Sequence, residues 1–424
     1  MRVLLVSTSE RTGGAAVAAN RLKEALTNNG IKAKMLVRDK ETDDVSVAPL
    51  PHNSFRQFHF LRERLSILLS SHLSRRHLFD IDIANSGADI TGTQEFREAD
   101  IIHLHWINQG MLSLKGIRKI LDSKKPVVWT MHDMWPATAL CHYTRGCSLF
   151  KTSCHDCQLL PGGGSPSDLS SRVWQAKRRM LQDRTIHFVA CSRWLAAKAK
   201  ESGLLKGQSI TSIPNPIDTR IFRPSDKLKC RQALSLPLDK KIILFVSQRL
   251  TDERKGMKFF IEAVNSLAKS DPETAQSAVI ALLGGHAEEV APSLNLPVYP
   301  LGYVSDERKI ADVYNAADVY VLPSLEDNLP NTIMESMACG LPSVAFKVGG
   351  IPEMIDHLKS GYVAALRDSA DLANGIRQVA WSADYQNLSQ NAVKKVLTSY
   401  SWHSVAVKYI EVYNQAIACK RYRL

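Results

Sequence analysis

The stretch Val319-Tyr320-Val321-Leu322-Pro323-Ser324-Leu325-Glu326-Asp327-Asn328-Leu329-Pro330-Asn331-Thr332-Ile333-Met334-Glu335-Ser336-Met337-Ala338-Cys339-Gly340 holds one strand, one turn and one helix. Val319–Leu322 is a short apolar run of the kind that forms a strand buried on both faces. A turn then carries one acid, and a helix near Asn331–Cys339 carries another eight residues later. Acids spaced in this way can accept hydrogen bonds from several sugar hydroxyls, while the turn presents backbone N–H groups near a helix start.

Outward from this unit the same alternation recurs. Toward the N-terminus of the second half stand a strand at Lys241–Val246, a helix at Met257–Ala268 and a strand at Val279–Leu283; after the unit comes a strand at Ser343–Phe346. The first half opens with a strand at Arg2–Ser7, passes Gly13-Gly14 into a helix at Ala15–Asn28, and continues with strands at Ala33–Arg38, Ile101–His105, Val127–Met131 and His187–Ala190. Strands alternating with amphipathic helices predict an α/β class with parallel sheets. The change from one half to the other is expected near Ile213-Pro214-Asn215-Pro216-Ile217-Asp218, where two prolines disfavour a helix. Three segments follow: 1–215, 216–398 and a closing 399–424. Two α/β domains of similar size imply a cleft between them and ligands at the carboxyl ends of strands.

Length and charge narrow the class. A chain of 424 residues is long enough for two to three domains. Ordinary hydrophobic and charged fractions, 45% and 23%, exclude disordered, collagen-like and coiled-coil architectures. No apolar run approaches the roughly 20 residues of a bilayer span, and the N-terminus lacks a signal-peptide core, so a soluble, cytoplasmic protein is expected. The net charge of +12 is uneven: positions 1–220 hold 31 basic and 20 acidic residues, the remainder 23 and 22. An anionic partner of the first half is expected, whether nucleic acid, acidic lipid or a phosphorylated ligand.

Three motifs stand directly after strands. Gly13-Gly14 offers close backbone approach at a helix N-terminus, or is a plain tight turn. Arg249 and Lys255 leave the first strand of the second half as two cations suited to a diphosphate, or as a solvated basic loop, with Asp252 and Glu253 between them. The third is the Asp327–Glu335 unit.

Together these residues resemble the E-x7-E region and accompanying motifs of family 4 retaining glycosyltransferases, which have two Rossmann-like domains (the GT-B fold). The wording Asp327-Asn328-Leu329-Pro330-Asn331-Thr332 resembles the subgroup of bacterial capsule and exopolysaccharide (colanic-acid-type) synthesis. Asp327 takes the first acidic position and Glu335 the second. Thr130-Met131-His132-Asp133, Pro214-Asn215-Pro216-Ile217-Asp218 and Tyr400-Ser401-Trp402 fall in the same order along the chain. The resemblance implies two doubly wound domains facing across a cleft. Residues 1–215 would bind acceptor, 216–398 the nucleotide sugar, and the helix of 399–424 would return to the first domain.

It also implies roles. Arg249 and Lys255 would hold the donor diphosphate, Glu335 the ribose and Asp327 the donor sugar. Gly302, Tyr303 and Val304 would meet the base, and His132 the sugar and reacting centre. Gly13 and Gly14 would lie near the phosphates, and turn donors would come from Asn328, Leu329 or Asn331, since Pro330 has no N–H. The chemistry implied is metal-independent transfer with retained anomeric configuration. The donor would be a UDP- or GDP-sugar and the acceptor a polyprenyl-diphosphate-linked saccharide, at the anionic inner face of the cytoplasmic membrane. Asp327 is one methylene shorter than the usual Glu, a departure that shortens its reach to the donor sugar.

Other features stand beside this. Cys141, Cys147, Cys154 and Cys157 lie within 17 positions and end in C-x-x-C, within an insertion at 141–157. A structural Zn2+ site, a disulfide or free thiols are the readings, with zinc favoured by the absence of export signals. Asp80-Ile81-Asp82 superficially matches a metal-binding D-x-D but lacks its surroundings. His103 and His105 share one face of a strand, as hydrogen-bonded structural histidines or with His105 at the cleft. Phe55–Phe79, with Arg172, Lys177, Arg178 and Arg179, forms a basic amphipathic set that suits anionic lipid, or an ordinary helix with a core face. The competing functions are a nucleotide-sugar epimerase of the same fold and a zinc-containing nucleic-acid-binding protein. The latter leaves Arg249, Lys255, Asp327 and Glu335 unexplained, so no nucleic-acid partner is expected.

Overall fold

A computed structural model describes residues 1–51 and 54–421, with the side chains of 54–56, 274, 420 and 421 outside the description. The chain divides into two compact units, one of Met1–Pro216 with Val405–Leu424 and one of Ile217–Ser404.

The first unit is built on β1 (Arg2–Ser9), β2 (Lys32–Asp39), β3 (Val47–Pro49), β4 (Ile101–Leu104), β5 (Val127–Met131), β6 (His187–Ala190) and β7 (Ser209–Ser212). They form one sheet in the order β3-β2-β1-β4-β5-β6-β7, with every pairing parallel. The second unit holds β8 (Lys241–Arg249), β9 (Ala278–Gly285), β10 (Val298–Gly302), β11 (Val319–Leu322), β12 (Ser343–Phe346) and β13 (Gly361–Ala364), in the parallel order β10-β9-β8-β11-β12-β13. Each order reverses direction once, between β1 and β4 and between β8 and β11. In a doubly wound sheet that reversal opens a crevice outside the carboxyl ends of the two strands. The loops after β1, β4, β8 and β11 are therefore the places where a ligand site can form.

Burial explains which segments became strands. β4, β5, β6, β11 and β12 are buried at every position, because helices cover both faces. The segments that escaped the sequence reading, β3, β7 and β13, are all edge strands. The edge strand β7 is not buried at any position, and β3 has only three residues. Such strands are held by ladder hydrogen bonds to a neighbour more than by an apolar pattern.

Helix faces follow the same logic. In Met257–Ser270 the buried residues Met257, Phe260, Ala263, Val264 and Leu267 recur at helical spacing. Burying each larger one is worth about 1.5–3 kcal/mol. The helix starts at Gly256, whose φ of 76° suits glycine. The C-terminal helix Trp402–Arg421 buries Tyr409 and Tyr413 within the first unit. The side chains of Lys420, Arg421 and Arg423 lie outside the described residues.

Candidate active site

In the second unit β8 ends with Arg249 exposed, and the chain folds into a tight turn at Glu253–Lys255. Asp252 caps this turn by accepting from the Arg254 N–H at 3.0 Å. A side chain at Gly256 would put its Cβ 1.9 Å from the Pro323 carbonyl oxygen, so the backbones after β8 and β11 pack directly on one another. This contact delivers Lys255 to the turn after β11, where its Nζ donates to Asp327 Oδ2 at 2.7 Å. Ser324 Oγ donates to the same oxygen at 3.2 Å, and the Asn328 N–H to Oδ1 at 3.1 Å. Burial alone raises the Asp327 pKa, but Lys255 and then Arg254 outweigh it and hold it below the usual carboxylate range.

Arg254 is a residue that sequence reasoning missed. Its guanidinium donates to the Glu326 carbonyl at 3.1 Å and lies 3.9 Å from Asp327 Oδ2, while its own carbonyl accepts from Leu325 N–H at 2.8 Å. Gly349 is another: at φ 55° a Cβ there would lie 1.7 Å from the Asp327 carbonyl oxygen, and Gly350 N–H donates to Asn328 O at 2.8 Å. The Arg-Lys pair inside Asp252-Glu253-Arg254-Lys255-Gly256 and the Gly349-Gly350 pair after β12 were the available signals.

Glu335 sits buried on helix Asn331–Ala338 and accepts from Tyr314 Oη at 3.1 Å. Asn328 and Leu329 are buried and Asn331 is half-buried at the helix start. Gly302 and the exposed Tyr303, with Val304, follow the edge strand β10. β9 separates β10 from β8, so this segment stands about two strand spacings, roughly 10 Å, from the end of β8. The structure thus brings Lys255, Arg254 and Asp327 into contact and leaves Gly302-Tyr303-Val304 on the flank.

In the first unit Gly13, at φ 91°, has open space where a Cβ would lie, and Gly14 begins helix α1 (Gly14–Asn28). The loop before it is tied down by a residue missed in the sequence. Glu41 Oε1 accepts from Ser9 Oγ (2.8 Å), Arg11 N–H (3.3 Å), Thr12 N–H (3.0 Å) and Thr12 Oγ1 (2.8 Å).

His132 follows β5 directly, half-buried, with Nε2 3.1 Å from His105 Nδ1 and Nδ1 3.5 Å from Cys191 Sγ. Burial pushes its pKa down to about 4, and that of His103 down to about 3. Both are therefore neutral at pH 7. His103 uses both ring nitrogens, Nδ1 lying 2.7 Å from Tyr413 Oη and Nε2 2.7 Å from Thr130 Oγ1. His105 is buried, its Nε2 without a hydrogen-bond partner.

Asp133, next to His132, accepts from the Trp106 indole N–H at 3.0 Å and the Trp135 N–H at 2.9 Å. His142 Nδ1 lies 2.7 Å from Asp133 and its Nε2 2.7 Å from Asp82. Burial lowers the His142 pKa, but the two carboxylates outweigh it and raise it to about 10. Asp82, from the D-x-D look-alike, is fully buried and also pairs with Arg64.

Cys141, Cys147, Cys154 and Cys157 line one small cavity of about 30 Å³ with His155 and Thr144, and none is in a disulfide. Burial lifts the thiols, Cys141 to about 11 and Cys154 to about 12. Among the described residues, the group of three or more ligand-type side chains whose ligand atoms all lie within 4.8 Å of one another is His286, Glu288 and Glu289, all exposed. The cysteines share a cavity at wider spacing.

Lys177 departs from its expected place on a basic surface. It is 1% exposed, donates to the carbonyls of Trp135 (2.6 Å) and Thr138 (3.0 Å), and lies 3.3 Å from the centre of the Trp135 ring. It falls on the apolar face of helix Leu169–Leu181 with Val173 and Trp174, and its stem packs inward. Arg172, Arg178 and Arg179 are exposed.

The chain is similar to known glycosyltransferases. Residues 12–221 match the family described as Glycosyltransferase Family 4, and residues 240–380 match Glycosyl transferases group 1. A D-inositol 3-phosphate glycosyltransferase of Catenulispora acidiphila is 29% identical over 220 residues, covering 49% of this chain and 51% of that protein. The chain spans about half the length of the first such relatives. In structure, sucrose-phosphate synthase of Thermosynechococcus elongatus superimposes with a TM-score of 0.68 at 19% identity, over 99% of this chain and all of that one. Anabaena HepE, in complex with UDP and glucose, gives 0.63 at 18%, over 98% of this chain and 100% of its own. This chain is thus built of a glycosyltransferase family 4 domain followed by a glycosyl transferases group 1 domain, on the GT-B fold.

Proposed function

We propose that the protein transfers a sugar, with retained anomeric configuration, from a nucleoside-diphosphate sugar to a lipid-linked saccharide in bacterial surface polysaccharide synthesis. The observation that carries this reading is the meeting of Lys255, Arg254 and Asp327 beside exposed Arg249, at the reversal point of the second sheet. Arg249 and Lys255 would take the diphosphate and stabilise the charge that develops on it as the glycosidic bond breaks. Asp327 would aim Lys255 and accept hydroxyls of the sugar, and Glu335 would accept those of the ribose. The acceptor proton would pass to a departing phosphate oxygen on the same face, so positioning and electrostatics supply the catalysis without a metal. Neutral His132 would donate to, or accept from, the reacting sugar. HepE, solved with UDP and with UDP-glucose, supports a uridine donor.

The acceptor side is read from helix α2 (Ser54–Ser70) and the turn after it. Phe58, Leu61, Leu65, Leu69 and Leu73, each more than half exposed, form one stripe, with exposed Arg62, Arg75 and Arg76 alongside. An apolar stripe flanked by cations suits the surface of an anionic bilayer, where a polyprenyl-diphosphate acceptor resides. Among the described residues no helix is long and apolar enough to cross a membrane. Phe55 belongs to the same segment, but its side chain lies outside the described residues. The cysteine cavity would hold a structural Zn2+ that braces the loop after His132.

The test is a hydrolysis and transfer screen across UDP-, GDP- and ADP-sugars, with the anomeric configuration of the product read by NMR. One nucleoside diphosphate is expected to raise the melting temperature and to lose that effect in Glu335→Ala. Inverted product, or stabilisation by a short oligonucleotide in place of every nucleotide, would overturn the reading.

A further inference from the structure

The turn that carries His132 is held by a chain of charges that runs away from the reacting centre. His132 is the first residue beyond β5, and Asp133 is the second. From Asp133 the chain passes through the two ring nitrogens of His142, each 2.7 Å from a carboxylate oxygen, to Asp82. Asp82 pairs with the Arg64 guanidinium, which also lies 3.5 Å from Glu63. Glu63 in turn accepts the N–H groups of Ile83 (3.0 Å) and Ala84 (2.6 Å), closing the path onto the Asp82 segment. Side-chain exposure along the path is 12% for Asp133, 13% for His142, 1% for Asp82 and 7% for Arg64.

The backbone reinforces it. Met134 N–H donates to the His142 carbonyl at 2.9 Å, Asp82 N–H donates to Leu140 O at 3.0 Å, and Ile81 bridges Cys141. Nothing in the sequence ties His142 to His132, and Asp82 lies 60 positions before His142.

We propose that His142 is a positioning residue for the transfer reaction: by bridging Asp133 and Asp82 it sets the place of His132 and fastens that turn to helix α2. The inference rests on the proposed function for the role of His132, while the tie itself is a matter of geometry. A ring whose two nitrogens each lie 2.7 Å from an oxygen of a largely buried carboxylate fixes both position and orientation. An amide side chain cannot span both carboxylates in this way, and leaving one buried carboxylate unpartnered is costly. The helix that supplies Arg64 from its inner face carries the exposed apolar stripe on its outer face. One element thus serves the surface and the reactive turn.

The test uses His142→Gln, Asp82→Asn, His132→Ala and the double variant His132→Ala/His142→Gln in the full chain. In His142→Gln, hydrogen exchange of peptides covering 131–138 is expected to quicken, while UDP affinity stays within about twofold because the donor residues lie in the other unit. Transfer is expected to fall on the order of 10- to 100-fold in kcat with the donor KM unchanged, as for a displaced reacting group. Asp82→Asn should reproduce this more weakly. Adding His142→Gln to His132→Ala should cost nothing further, because one residue acts through the other. Unchanged exchange at 131–138 overturns the proposal whether or not the enzyme is active, and so do multiplicative losses in the double variant. Absence of transfer by the wild type with every donor, alongside quickened exchange in His142→Gln, overturns the proposed function and the catalytic part of this inference while leaving the tie in place. Should His142→Gln fold poorly, Asp82→Asn carries the same exchange and kinetic comparison.

Discussion

The charged clusters of the two units are built in opposite ways. Around Asp327 two cations gather on one carboxylate, and they are partly open: Lys255 is 19% exposed and Arg254 35%. Around His142 carboxylates and cations alternate, Asp133 to His142 to Asp82 to Arg64, and that chain is largely closed to solvent. An excess of accessible cations is an unsatisfied site that an anion completes. A balanced, closed chain has little to offer a ligand and instead resists movement. The nearly neutral second half therefore carries the cations suited to a diphosphate, while the strongly basic first half spends its buried charges on architecture. Net charge counted along a sequence says little about where a ligand binds.

The contrast can be broken most forcefully at Lys255. Lys255→Ala removes the cation proposed to face the leaving group and is expected to lower kcat/KM on the order of 100- to 1000-fold in a transfer assay. Retention of near wild-type activity would move the site elsewhere. A second, smaller effect concerns the cysteine loop. If Zn2+ fills the cavity, protein prepared without chelator contains about one zinc per chain, and its removal lowers Tm on the order of 5 °C. Four readily titrated thiols with no metal would refute that.

Weaker again is the exposed stripe. Replacing Leu61, Leu65 and Leu69 together by Ser is expected to reduce binding to vesicles containing phosphatidylglycerol about tenfold or more, with Tm nearly unchanged because these side chains contribute to no core. Equal vesicle binding by the variant would remove α2 from the membrane. The gentlest test is acid stability. His103 and His132 have folded pKa values depressed below the unfolded value near 6.5, so the unfolded chain takes up protons first. Their contribution is whole above about pH 6.5 and is lost as pH falls through 4 toward 3. A shallower acid limb in His103→Gln, read as Tm against pH, is the expected outcome.

Much of the fold was legible because its signals are local. Central strands such as Val319–Leu322 and Val127–Met131 are continuous apolar runs, since both faces of a parallel sheet are covered. β3, β7 and β13 were not legible, because an edge strand is decided by the neighbour that pairs with it. The acids Asp327 and Glu335 were visible as one turn and one helix. Arg254 and Gly349 were hidden, because their importance arises only where the backbone of one loop presses on another. Lys177 misled for a related reason: a long cationic side chain on a helix reads as surface unless the aromatic ring and carbonyls awaiting it are known.

By itself the sequence determined the alternation of strand and helix, the glycines that permit Gly13 and Gly256 their left-handed φ, and the eight-residue spacing of Asp327 and Glu335. Each of these depends on neighbours within a turn or two of chain, where propensity and sterics act directly. Tertiary structure alone decided that Lys255 would meet Asp327 across 72 positions and that His142 would bridge Asp133 and Asp82 across 9 and 60. Those meetings follow from parallel sheets that bring the carboxyl ends of distant strands side by side, a consequence of long-range pairing and burial that no local window of residues contains.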